Sequence, residues 1–143
     1  KRVRREQINL FGNEKYDIKK RRALPGKTAK SGIGRYSEYG KLLRNKQVTK
    51  RSYLLSEKQF SKLVKTTALR QAKTQDISHD QALFQLLERR ADVIVLRSGL
   101  AKSIMQARQM VNHGLFFLNG VKHNIPSTTL RAGDKLQLKA KYH

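Results

Sequence analysis

With 143 residues the chain has room for one modest hydrophobic core or two small ones, and only 38% of its residues are hydrophobic. Its 32 Lys and Arg against 10 Asp and Glu give a formal net charge of +22, far more than solubility asks for, and the natural inference is a polyanionic partner. Cysteine is absent, which excludes a disulfide framework and any thiolate metal site, and no apolar run approaches the length of a membrane-spanning helix, so no membrane partner is expected.

The charge is unevenly spread. Residues 1–75 hold 22 Lys and Arg against 5 acids, net +17, and residues 76–143 carry net +5. No secretory signal is visible, and the chain opens on Lys1 without an initiator methionine, so it is expected to be a piece of a longer protein.

Residues 1–35 combine the basic runs Lys1-Arg2-Val3-Arg4-Arg5 and Lys19-Lys20-Arg21-Arg22 with Pro25, Gly26, Gly32 and Gly34, and hold few apolar residues. The composition predicts a basic extended tail without a core of its own, of the kind that orders on a nucleic-acid backbone. Ser37 before Glu38, with Tyr39, Leu42, Leu43 and Lys46 at helical spacing, predicts a helix from about 37 to 53. Ser56 and Gln59 form a capping-box pair that opens a second helix reaching about residue 73. Phe60, Leu63, Val64 and Thr67 share one face of it, predicted to meet the helix of Tyr39 and Leu43. Lys58, Lys62, Lys65 and Lys73 lie opposite. A lysine stripe can be a merely solvated face, but no acids alternate with these lysines as i,i+4 partners, which favours phosphate contact.

The polar stretch 74–78 reads as a link, and Ser78 with Gln81 begins a third capped helix running through Leu83, Leu86 and Leu87. Ser103 and Gln106 give a fourth capping box. From there Ile104, Ala107 and Val111 form an apolar stripe that leaves Arg108, Gln109, Asn112 and His113 on the polar sides, with Gly114 placed to end the helix in the left-handed region. Leu115 to Leu118, then Asn119-Gly120, then Val121 to Asn124 read as a hairpin with a type I′ turn. After the Ala132-Gly133-Asp134 turn, Leu136 and Leu138 alternate with polar residues in a third strand over 135–139.

The residues Leu87, Arg90, Asp92, Val93, Arg97, Gly99, Ala107-Arg108-Gln109, Val111, His113, Asn119-Gly120 and Ile125-Pro126-Ser127, in that order, closely resemble the small RNA-binding module of the ribosomal protein S-four family. Tyr36-Ser37-Glu38-Tyr39-Gly40, Leu43-Arg44-Asn45-Lys46-Gln47 and Leu55-Ser56-Glu57-Lys58-Gln59-Phe60, with weaker matches at Arg4-Arg5-Glu6 and Pro25-Gly26, extend the resemblance to that family's helical domain. The likeness implies an α+β chain: a basic extended segment over 1–35, a helical rRNA-binding domain over 36–77, and over 78–141 a module of two helices on a small curved antiparallel sheet. It implies RNA contacts at Lys102, Ser103, Arg108, Gln109, Asn112 and His113, with Arg90, Arg97 and Lys122 at the margins. Lys58, Lys62, Lys65, Arg4, Arg5, Arg44, Lys46, Lys50 and Arg51 join them as candidate phosphate contacts.

The same likeness implies a constituent of the small ribosomal subunit, bacterial or organellar, that binds its rRNA beside neighbouring ribosomal proteins, without homo-oligomers and without a cofactor. Many bacterial members hold zinc through an N-terminal cysteine cluster, which this sequence lacks, and the family's usual C-terminal extension is not in residues 1–143. Gly114 stands where many relatives carry a side chain. A non-ribosomal RNA-binding factor or the RNA-binding piece of an RNA-modifying enzyme are the alternatives, though helical-domain matches disfavour the first. No catalytic constellation supports the second: His79, His113, His123 and His143 lack metal-ligand spacing, Gly32-Ile33-Gly34 is no phosphate loop, and Asp76 and Asp80 are explained as helix-start acids.

Overall fold

The computed structural model describes residues 2–11, 24–26, 36–71 and 78–140. The chain divides into two compact units, residues 1–55 and 56–143. Its elements are α1 (Arg2–Glu6), α2 (Glu38–Ser52), α3 (Glu57–Gln71), α4 (His79–Glu88), α5 (Ala91–Arg97) and α6 (Ile104–Asn112), with strands β1 (Phe116–Leu118), β2 (Val121–His123) and β3 (Leu136–Leu138). The architecture is α+β.

In the first unit Ser37 caps α2, its Oγ accepting from the Gly40 amide at 3.2 Å. The helix ends in a Schellman turn, with Leu55 N–H donating to the Lys50 carbonyl and Leu54 N–H to that of Arg51. Leu54 occupies the left-handed region at φ 51°, which costs a residue with a Cβ about 1 kcal/mol. The basic N-terminal segment is not coreless where it is described. Val3, Leu10 and Leu24 are buried, and the buried Glu6 carboxylate binds the guanidinium groups of Arg44, at 3.1 Å, and Arg51. A carboxylate removed from water needs such partners, and it fixes α1 against α2. The run Lys19 to Arg22 lies outside the described residues, as does the predicted link over 74–77.

In the second unit α3 opens with the reciprocal capping box: the Gln59 amide donates to Ser56 Oγ, and the Ser56 amide donates to Gln59 Oε1. Phe60 and Thr67 are buried along the predicted face, and within this unit that face has α4 as its packing partner.

The third capped helix is α4, which runs through Leu83, Leu86 and Leu87 as expected. α4 stops at Arg89 and α5 starts after Arg90, whose backbone is extended at φ −69°, ψ 143°. No Gly or Pro marks this break. It is imposed by the segment 126–130: Ala91 N–H donates to Thr128 O, Asp92 N–H to Pro126 O and Leu130 N–H to Arg89 O, and Arg90 bridges to Thr129.

α5 and α6 pack together over the core of Val95, Ala101, Ala107, Val111 and Phe116, bordered by Leu96, Met110, Leu115, Leu136 and Leu138. The fully buried Val95, Val111 and Phe116 each contribute roughly 1.5–3 kcal/mol by leaving water. α6 closes in a Schellman turn at Gly114, φ 64°, with Leu115 N–H bonded to Met110 O. The sheet order is β2-β1-β3, antiparallel throughout, with Phe116 opposite His123 and Leu138, and Phe117 opposite Lys122 and Gln137. Asn119 at φ 50° and Gly120 at φ 83° form the type I′ turn.

Candidate nucleic-acid interface

On α3 the stripe Lys58, Lys62 and Lys65 is exposed and runs opposite the buried Phe60 and Thr67. The spacing i, i+4, i+7 aligns the three ammonium groups along the helix, a geometry suited to successive phosphates of one strand.

A second surface is built on α6. The Gln106 amide donates to Ser103 Oγ at 3.2 Å, and Gln106 Oε1 reaches back one residue beyond the expected box to the Lys102 amide at 2.9 Å. The Ser103 hydroxyl is therefore occupied in starting the helix. With Ile104, Ala107 and Val111 buried, Lys102, Gln109, Asn112 and His113 remain exposed and Arg108 is half-buried. Lys122 is brought to the C-terminal end of this face by the hairpin. A Cβ at Gly114 would come within 2.7 Å of Lys122 Cε, so the missing side chain is what lets the lysine stem cross the helix end. There its charge favours the carbonyl end of the helix dipole while staying solvent-exposed.

Other arginines predicted from sequence are placed differently. Arg90 is buried, and its Nε and Nη2 donate to Asp92 Oδ1 and Oδ2 at 3.0 and 2.8 Å, so its fork is already filled by a carboxylate that is itself 0% exposed. Arg97 makes the same two-pronged contact to Glu88 at 3.0 and 2.9 Å, on the surface. Asp92 thus holds Arg90, and Glu88 holds Arg97. In the first unit Arg44 and Arg51 hold Glu6, and Arg4 donates to the Leu24 carbonyl at 3.4 Å. Arg5 and Lys46 are exposed and Lys50 is half-buried. Sequence spacing could not separate these roles, because a structural and a functional arginine look alike until their carboxylates are located.

Further basic residues outside the sequence-derived set lie on the second unit, among them Arg89, whose Nε donates to Leu130 O, and Arg131, Lys135 and Lys139. The alternation Lys135, Gln137, Lys139 was the available signal. Next to them, Asn119 Nδ2 donates to Asp134 Oδ1 at 3.0 Å, the Arg131 amide to Asp134 Oδ2 at 2.7 Å, and the Lys135 amide to Asn119 Oδ1 at 2.9 Å. This clasp ties the hairpin turn to the approach of β3. The Asn119 hydrogen bond, followed by that of the Arg131 amide, holds the Asp134 carboxyl below its ordinary value of 3.8. Among the described residues there is no group of three or more His, Asp or Glu able to hold a metal ion, and no helix is long and apolar enough to cross a membrane.

Two family models match the chain: the ribosomal protein S4/S9 N-terminal domain over residues 1–88 and the S4 domain over residues 89–136. Among curated relatives, the small ribosomal subunit proteins uS4 of Borrelia turicatae (strain 91E135) and Borrelia hermsii (strain HS1 / DAH) are each 43% identical over 141 residues, 97% of this chain and 65% of theirs. That of Syntrophomonas wolfei subsp. wolfei is 42% identical over 142 residues, 95% of this chain and 66% of its own. The chain therefore spans about 65% of the length of the curated relatives it matches.

Proposed function

The chain belongs to the ribosomal protein S4 family, and we propose that it is a structural constituent of the small ribosomal subunit that binds small-subunit rRNA directly and stabilises its folding during assembly. Its relatives' name supplies the subunit. The observation that carries the RNA contact is the exposed Lys58, Lys62 and Lys65 stripe, set opposite a buried face on a chain of net charge +22. The polar face of α6, with Lys102, Gln109, Asn112, His113 and Lys122 exposed, supports a second contact.

The division of labour is physical. Lysine stripes neutralise phosphates and release counterions, giving affinity without reading sequence. The Gln, Asn and His side chains of α6 supply hydrogen bonds to phosphate, ribose hydroxyl or base edge in the wide, shallow minor groove of folded RNA, where shape and not base order is read. The role is one of positioning, with no bond made or broken, at the ribosome and beside neighbouring ribosomal proteins.

Filter-binding of the full chain to small-subunit rRNA across a salt series tests this. With about six phosphates neutralised, log affinity falls against log salt with a slope of about −4 to −5. A flat salt dependence refutes a phosphate-dominated interface.

A further inference from the structure

The α5–α6 core occupies one side of the sheet, the side of Phe116, Leu136 and Leu138. Strand alternation sends Phe117 to the other side, where its direct cross-strand neighbours are Lys122 on β2 and Gln137 on β3, both exposed. The Lys139 ammonium stands 5.6 Å from the Phe117 ring centroid. Lys135, exposed just before β3, shares the parity of Gln137 and Lys139. This side thus presents one half-buried aromatic ring, the Gln137 amide and two lysines flanking β3, while the Lys122 stem runs on to Gly114. The neighbouring acid, Asp134, is turned to Asn119 and the Arg131 amide.

We propose that this outer face of the sheet is a separate site for an unpaired nucleotide, whose base stacks on Phe117 while its phosphates lie on Lys135 and Lys139. The inference rests on the RNA-binding reading and adds to it a surface, a ligand class and a residue that helical contacts with double-helical RNA do not use. Three features select single-stranded RNA as the occupant. The lysine charge is uncompensated along the strands, which fits a phosphodiester chain and opposes a basic protein segment. An aromatic ring on a cation-bordered sheet accepts the π-face of any base. The Gln137 amide, in register with the ring, offers donor and acceptor to a base edge. The lysine above the ring already uses the attraction of a cation for that π-face. As a base slides onto the ring, the flexible Lys139 stem swings aside and its charge meets the phosphate.

The test uses the full chain, Phe117→Leu and Lys139→Met, with two RNA probes: a short single strand carrying a fluorescent adenine analogue, and a blunt duplex. Leucine keeps the strand apolar, and an unchanged melting curve confirms that the fold is kept. The wild type is expected to quench the analogue on binding. Phe117→Leu is expected to abolish the quench and weaken single-strand binding by about 5- to 150-fold while duplex affinity stays unchanged. Lys139→Met is expected to weaken single-strand binding and lower its salt slope by roughly one. Quenching and single-strand affinity that survive Phe117→Leu, with normal duplex binding, overturn the stacking site and leave the rRNA reading standing. Failure of the wild type to bind either probe overturns both. In assembled particles, with Gln137 replaced by benzoylphenylalanine, photocrosslinks to RNA support the site, and crosslinks to polypeptide alone overturn it.

Discussion

Asp92→Ala separates architecture from RNA contact. The carboxylate is 0% exposed and binds Arg90 through both oxygens, while Oδ1 also accepts the Val93 amide at 3.0 Å. Removing it leaves a guanidinium that is 7% exposed with no counter-charge, at the place where the start of α5 is bonded to 126–130. Breaking a buried pair from one side costs about 3–5 kcal/mol, a large share of the roughly 5–15 kcal/mol that holds a domain together. At about 4–8 °C per kcal/mol for a unit of this size, the midpoint of unfolding falls by about 12 °C or more. Circular dichroism at 222 nm in urea and on heating measures both quantities. The double variant Arg90→Met with Asp92→Leu is expected to lose much less, because an apolar pair strands no charge. A loss below about 1 kcal/mol for Asp92→Ala, the worth of a surface pair, refutes the reasoning. Equally damaging is an Arg90→Met protein that melts normally but binds RNA weakly, since Arg90 is then an RNA contact.

Reversing Lys58, Lys62 and Lys65 to Glu is expected to weaken rRNA binding by tenfold or more, with helix content unchanged, because the buried Phe60 and Thr67 lie on the far face; unaltered affinity makes the stripe a solvated surface. Arg108→Ala is expected to cost about 1–3 kcal/mol of RNA binding with little change in the melting midpoint, and Arg108→Lys to recover only part of it; an earlier melt with normal binding assigns Arg108 to holding the fold. Lowering pH is expected to loosen the Asn119–Asp134 clasp. The Asp134 carboxyl is depressed in the folded chain, so its stabilisation is complete above the ordinary value of 3.8 and is lost as pH falls through the lower folded value. Hydrogen exchange at the Lys135 amide reports the opening, and an acid-side response that persists in Asp134→Asn refutes the assignment.

Local chemistry was legible along the chain. The capping serines Ser37, Ser56, Ser78 and Ser103 start their helices where the sequence places them, because a cap hydroxyl satisfies an amide two or three residues away and needs nothing distant. Asn119-Gly120 sets the hairpin for the same reason, as does the apolar stripe of α6 for its buried face. Tertiary structure decided what depends on partners far along the chain. The break between α4 and α5 comes from hydrogen bonds to residues 126–130, and α3 meets α4 by shape. Arg90 and Arg44 belong to the architecture because Asp92 and Glu6 reach them in folded surroundings where an unpaired charge is costly. A basic residue's charge is written in the sequence; whether that charge faces RNA or a buried carboxylate is settled only when the chain closes around it.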